Sequence, residues 1–189
     1  MSRTNILGAF ATLVLAGWLQ PTAAQTSDGY IGIYADSTGT TPCATIPPLE
    51  SRTMYVIAKL EGASAGGISG AEFRIEVENP SGWFFMYEPP PADIKLGQVL
   101  DLDPENPDDG SGLSIAFGSC LPPSNGMVSL GKLFAFNSSG SPTQLLVRRH
   151  SSPTNADYPC PLFTLCDDPV FSKSCMTPSS EPPCSTGGP

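Results

Sequence analysis

From Ala71 to Glu78 the chain alternates without a break: Ala71, Phe73, Ile75 and Val77 are apolar, while Glu72, Arg74, Glu76 and Glu78 are charged. A period of two marks a half-buried β-strand, with the apolar side inward and the charged side expected to face solvent. Shorter runs of this kind cover Tyr30 to Tyr34, Thr53 to Leu60, Trp83 to Tyr87, Ile94 to Leu100, Leu113 to Phe117, Met127 to Phe136 and Gln144 to Arg149. Turn formers separate them: Pro47-Pro48, Gly66-Gly67, Asn79-Pro80-Ser81-Gly82, Pro89-Pro90-Pro91, Pro122-Pro123-Ser124-Asn125-Gly126 and Asn137-Ser138-Ser139-Gly140. No apolar 3.6-residue period runs for twelve residues free of Gly and Pro, so no helix of useful length is predicted. About eight short strands between turns predict an all-β fold. The expected form is a single β-sandwich, jelly-roll or immunoglobulin-like, with a barrel second.

The two ends read differently. Arg3, the apolar run Ile6 to Leu19, Pro21 and the small residues Thr22-Ala23-Ala24 have the order of a secretory signal peptide cut after Ala24. That run is too short to span a bilayer and no second one follows, so no transmembrane segment is expected. Beyond Ser151 the alternation weakens. Leu162 to Leu165 and Val170 to Ser172 are short strand or edge candidates, and Pro178 to Pro189 is a Ser/Pro/Gly-rich tail. The expected division is therefore a signal peptide (1–24), a β-sandwich with a disulfide-rich C-terminal segment (25–177) and the tail (178–189). Such a protein is secreted or held at the cell surface.

Composition sharpens this. The formal charge is -9, and loss of Arg3 with the signal peptide makes it -10. So acidic a chain repels phosphate backbones and anionic membranes, which argues against nucleic acid as a partner. All six cysteines (Cys43, Cys120, Cys160, Cys166, Cys175, Cys184) lie beyond the signal, and an even count in an exported chain predicts three disulfides. The pairing is open, except that four cysteines crowd the C-terminal end and so at least one bridge is local to it. Neighbouring cysteines are too far apart for zinc pairs, and there is one histidine.

Candidate chemistry is sparse. Glu76 and Glu78 share one side of a strand at about 7 Å, a spacing an inverting glycosidase uses, although plain alternation also places them there. His150 follows two cations, Arg148 and Arg149, which disfavour the imidazolium that a Ser-His-Asp mechanism forms, and no Gly-x-Ser-x-Gly elbow is present. Asp101, Asp103, Glu105, Asn106, Asp108, Asp109 and Gly110 make either a solvated acidic loop or a calcium loop. Trp83, Phe85 and Tyr87 fall on one side of a strand, with Phe84 and Met86 on the other. The aromatic row suits a platform that stacks sugar rings, whereas a strand apolar on both sides suits a core. Asn137-Ser138-Ser139 is a glycosylation sequon.

Two resemblances follow. Gly70-Ala71-Glu72-Phe73-Arg74-Ile75 with Pro80-Ser81-Gly82-Trp83, and Cys160-Pro161-Leu162-Phe163-Thr164-Leu165-Cys166-Asp167, resemble a group of exported, β-rich, cysteine-bearing bacterial proteins without an assigned activity. The Ala71-Glu72-Phe73 strand and the later Gly131-Lys132-Leu133-Phe134-Ala135-Phe136 strand are similar to the cohesin and carbohydrate-binding class of sandwiches. The resemblances imply an immunoglobulin/cohesin-like sandwich and name no site residues. The expected function is an exported, non-catalytic binding or adhesion module whose partner is a polysaccharide or an extracellular protein. A structural component of an envelope assembly is the alternative, and a glycoside hydrolase stands third.

Overall fold

The computed structural model describes residues 29–42, 45–106, 110–154, 159–167, 173–175, 177–178 and 184–186. The expected signal peptide, Cys43, Asp108, Asp109 and the expected strand Val170 to Ser172 lie outside them. The strands run β1 (Gly29–Tyr34), β2 (Ser51–Leu60), β3 (Ile68–Glu78), β4 (Trp83–Glu88), β5 (Ile94–Gln98), β6 (Leu100–Asp101), β7 (Gly112–Leu121), β8 (Met127–Asn137), β9 (Thr143–Arg148), β10 (Leu162–Leu165), β11 (Lys173–Cys175), β12 (Thr177–Pro178) and β13 (Cys184–Thr186). One 3₁₀ turn, Gly62–Gly66, interrupts them. Among the described residues no helix is long and apolar enough to cross a membrane.

The strands form two sheets packed face to face, as the alternation predicts. One sheet has the order β12-β1-β2-β8-β4, and the other runs β11-β10-β3-β7-β5 with β6, β9 and β13 attached beside β3. Pairing is antiparallel except for β1 with β12 and β3 with β6. Among the described residues β4 ends one sheet and β5 the other, so neither closes on itself as a barrel would. Inward residues of both sheets, among them Ile31, Met54, Val56, Phe73, Ile75, Leu113, Ile115, Leu133 and Ala135, make one core. Full burial of each large side chain contributes about 1.5–3 kcal/mol.

β3 is the organising strand, and it changes both neighbours near Arg74. Its first half pairs with β10 and β7, and its second half with β9 and β6. The Ile94 to Leu100 run, expected as one strand, splits for this reason: β5 pairs with β7, whereas β6 crosses to β3. The chain leaves the sheet after Asp101 and again after Arg148, and the departing segments meet where the Ser151 N–H and hydroxyl both donate to the Ser111 carbonyl, at 3.0 and 2.7 Å.

That meeting corrects the expected solvent exposure of the β3 charges. Glu72 is only 7% exposed. The Arg74 and Glu76 side chains are 13% and 15% exposed. Glu72 accepts from Ser114 Oγ at 3.0 Å, from the Thr154 N–H at 2.9 Å and from the Thr154 hydroxyl. Alternation sets the side of the sheet; it is silent on a later segment that covers that side.

At the C-terminal end β11 pairs with β10, β12 with β1 and β13 with β9. A disulfide joins Cys120, at the end of β7, to Cys166, just past β10. It packs against Gly67, where a Cβ would lie 3.0 and 3.1 Å from the two sulfurs and 2.5 Å from the Leu121 carbonyl oxygen. Cys160 is disulfide-bonded too, and no cysteine among the described residues is free.

Candidate binding face

The two outer faces differ. That of the sheet around β3 is roofed over Glu72 by the segment through His150 and Thr154, while at its β5 edge Ile94 and Leu96 are 52% and 64% exposed. On the five-stranded sheet, the β1 side is covered where Gly39 lies close to Ile57, Lys59 and Met127, and Tyr34 is fully buried. The β8–β4 side is uncovered by the described residues. There the register sets Phe84 beside Phe136, Met86 beside Phe134 and Glu88 beside Lys132, with Thr53 beside Phe134 and Tyr55 beside Lys132 on β2. Phe84 and Met86 are 58% and 57% exposed. Glu88 and Lys132 form an exposed ion pair at 3.7 Å. A shallow depression of about 360 Å³ lies over Thr53, Tyr55, Met86 and Phe134. Across Glu88 and Lys132 it adjoins a cleft of about 490 Å³ walled by Pro89, Pro90, Pro91, Pro122, Met127 and Val128.

Leu49 stands at the end of this face. Its N–H donates to the Asn137 carbonyl at 2.6 Å, next to Phe136. It is 74% exposed and has φ of 64°, a conformation that costs a branched residue about 1–3 kcal/mol. The neighbouring bonds hold a strained leucine out in water.

The candidates from the sequence fall elsewhere. Trp83, Phe85 and Tyr87 turn inward, half-buried against the core, and Trp83 stacks on Phe85 with ring centroids 5.7 Å apart. The Trp83 indole N–H donates to the Ser141 carbonyl at 2.8 Å, and the Tyr87 hydroxyl donates to the Leu130 carbonyl. Burial pushes the Tyr87 phenol well up. The outward row of the same strand is Phe84 and Met86. Phe134, Phe136 and Leu49 complete the face; the first two lie in the expected Met127 to Phe136 strand, where nothing local marks them as outward, and the strain at Leu49 has no sequence signal.

Asp101 is not part of a solvated loop. It is fully buried, and its Oδ2 lies 3.1 Å from Arg74 Nη1. Asp103 and Glu105 are exposed, and the Asp103 N–H donates to Asp101 Oδ1 at 3.1 Å. Among the described residues no three of His, Cys, Asp and Glu gather as a metal-holding group. Glu76 is committed to Arg74 at 3.3 Å and Arg148 at 3.6 Å, which ties one member of the expected carboxylate pair into an ion-pair network. The space beside Glu72 is about 110 Å³, small for a sugar ring. Burial lowers the His150 pKa, with Glu72 opposing and Arg74 adding to the shift. The direction agrees with the sequence argument, but the cation responsible is Arg74 rather than its chain neighbours.

The class these features define is a disulfide-bonded β-sandwich. No protein-family profile matches the chain, and no curated protein matches it. Among solved structures it is similar to the sixth cohesin of scaffoldin B from Acetivibrio cellulolyticus, solved in complex with a Cel5 dockerin mutant. The identity is 14% and the TM-score 0.45, over 85% of this chain and 99% of that one.

Proposed function

We propose that this chain is an exported, non-catalytic module that binds an extracellular protein on the open half of the five-stranded sheet. The observation that carries this is the exposed apolar row Phe84 and Met86, flanked by Phe134 and Phe136 and ended by the strained Leu49. Export rests on the pattern from Arg3 to Ala24. A sugar needs several placed hydrogen-bonding groups around each ring, and the centre of this face offers phenylalanine and methionine, with Thr53, Tyr55 and the Glu88–Lys132 pair beside them. An apolar centre with a polar rim is the anatomy of a protein–protein interface.

The test compares the mature, disulfide-intact protein with its Phe84→Ser/Met86→Ser variant on two sets of probes: insoluble polysaccharides, and the extracellular proteins of the source organism. Saturable retention of a protein by the parent, lost in an equally stable variant, is the expected result. Retention on a polysaccharide that survives the double substitution would overturn the proposal.

A further inference from the structure

The chain closes most of its own sheet edges. β12 lies along β1, β11 along β10 and β13 along β9, so the C-terminal segment supplies partners for strands that would otherwise end a sheet. Among the described residues the edges at β4 and β5 carry no such strand. They are not equivalent. On β5, Lys95 pairs with the core residue Ile115 and therefore sits on the inward side of an edge strand, a charge placed where it obstructs strand addition. Gly97, at φ of 92°, further distorts that edge. β4 has neither device. Its sequence, Trp-Phe-Phe-Met-Tyr-Glu, consists of strong strand formers with one charge at the very end.

We infer that β4 pairs antiparallel with β4 of a second copy, about a two-fold axis through Phe85, joining the two five-stranded sheets into one. The self-complementary pattern of the strand points to a second copy as occupant. In this register Glu88 falls beside the turn that precedes the other copy's strand, at Gly82, so the sole charge of the strand faces no like charge. Phe84 meets Met86 and Trp83 meets Tyr87, keeping outward residues with outward and inward with inward. Glu88 keeps its Lys132 partner within its own chain. Two exposed apolar rows become one continuous strip on the outer face of the joined sheet, which stays open to a partner. A C2 pair of this type is self-complementary and closes at two copies.

Sedimentation velocity of the mature protein from micromolar to millimolar concentration reads the first consequence: a monomer giving way to a dimer and to nothing larger. Cross-linking reads the register. Directly opposed strand residues lie within disulfide reach, and diagonal ones lie beyond it. Oxidising a mixture of Phe84→Cys and Met86→Cys chains should yield a covalent dimer, at roughly tenfold the level of either variant alone. A monomer at every concentration overturns the inference, and so does cross-linking that is equal in mixed and separate samples. Strand addition by a different protein onto a chain that stays monomeric is the first of these outcomes.

Discussion

Asn137 carries a glycosylation sequon on a side chain that the fold fully occupies. Its Nδ2 donates to the Ile46 carbonyl at 3.0 Å, and its Oδ1 accepts from the Ser139 and Gly140 N–H groups at 3.2 and 2.7 Å. The folded protein should stay unmodified there, which intact-mass measurement checks. Asn137→Ala should cost about 3 kcal/mol of stability, since three partners lose a buried bond. Leu49 should behave in the opposite way. Leu49→Gly removes the positive-φ strain and should raise stability by up to about 1 kcal/mol in urea unfolding, while weakening partner retention. His150 supplies a pH signature. Its pKa is lower in the folded chain than the unfolded value near 6.5, so the unfolded state binds more protons between the two. Its contribution is present above about pH 6.5 and is lost as pH falls through the folded pKa. The difference in unfolding midpoint between parent and His150→Gln should therefore change between about pH 7 and about pH 5, with the parent losing more.

At the scale of the element, the strands were legible because a period of two survives in the sequence wherever one side packs on a core. Ala71 to Glu78 shows it plainly, whereas Leu162 to Leu165 is a short apolar run without that alternation. The fate of the outer side was not legible. Glu72, Arg74 and Asp101 are polar residues that the alternation and the acidic loop both assign to solvent, yet segments remote in sequence bury them. Only long-range contact decides that, and no local pattern encodes it. The same blindness hid the open face, because Phe134 and Phe136 look like core residues until the layer that would cover them proves absent from the described chain. The buried ion pairs make a firm prediction. Arg74→Met leaves Asp101 buried without its cation and should cost about 3–5 kcal/mol, whereas Arg148→Met, whose side chain is 42% exposed, should cost about 1 kcal/mol or less. Denaturant midpoints of the two variants distinguish a buried network from a charged surface.

For the whole molecule, the stabilising cross-link and the proposed recognition surface lie on different sheets. The disulfide secures one sheet, where Cys120 and Cys166 close a separation of 46 residues. On the chain-entropy account that bridge contributes about 4 kcal/mol, so Cys120→Ala/Cys166→Ala should lower the unfolding free energy by that order. The other sheet, around β4 and β8, is left apolar and uncovered by the described residues. Natural monomers keep such patches small unless something binds them. The central claim is therefore that the face carrying Phe84, Met86, Phe134 and Phe136 is a protein-binding surface. The measurement that tests it most directly is retention of extracellular proteins by the mature chain, set against its Phe84→Ser/Met86→Ser variant at matched stability. A protein held by the parent with saturable affinity and released by the variant is the result this account predicts. Equal retention by both would contradict it.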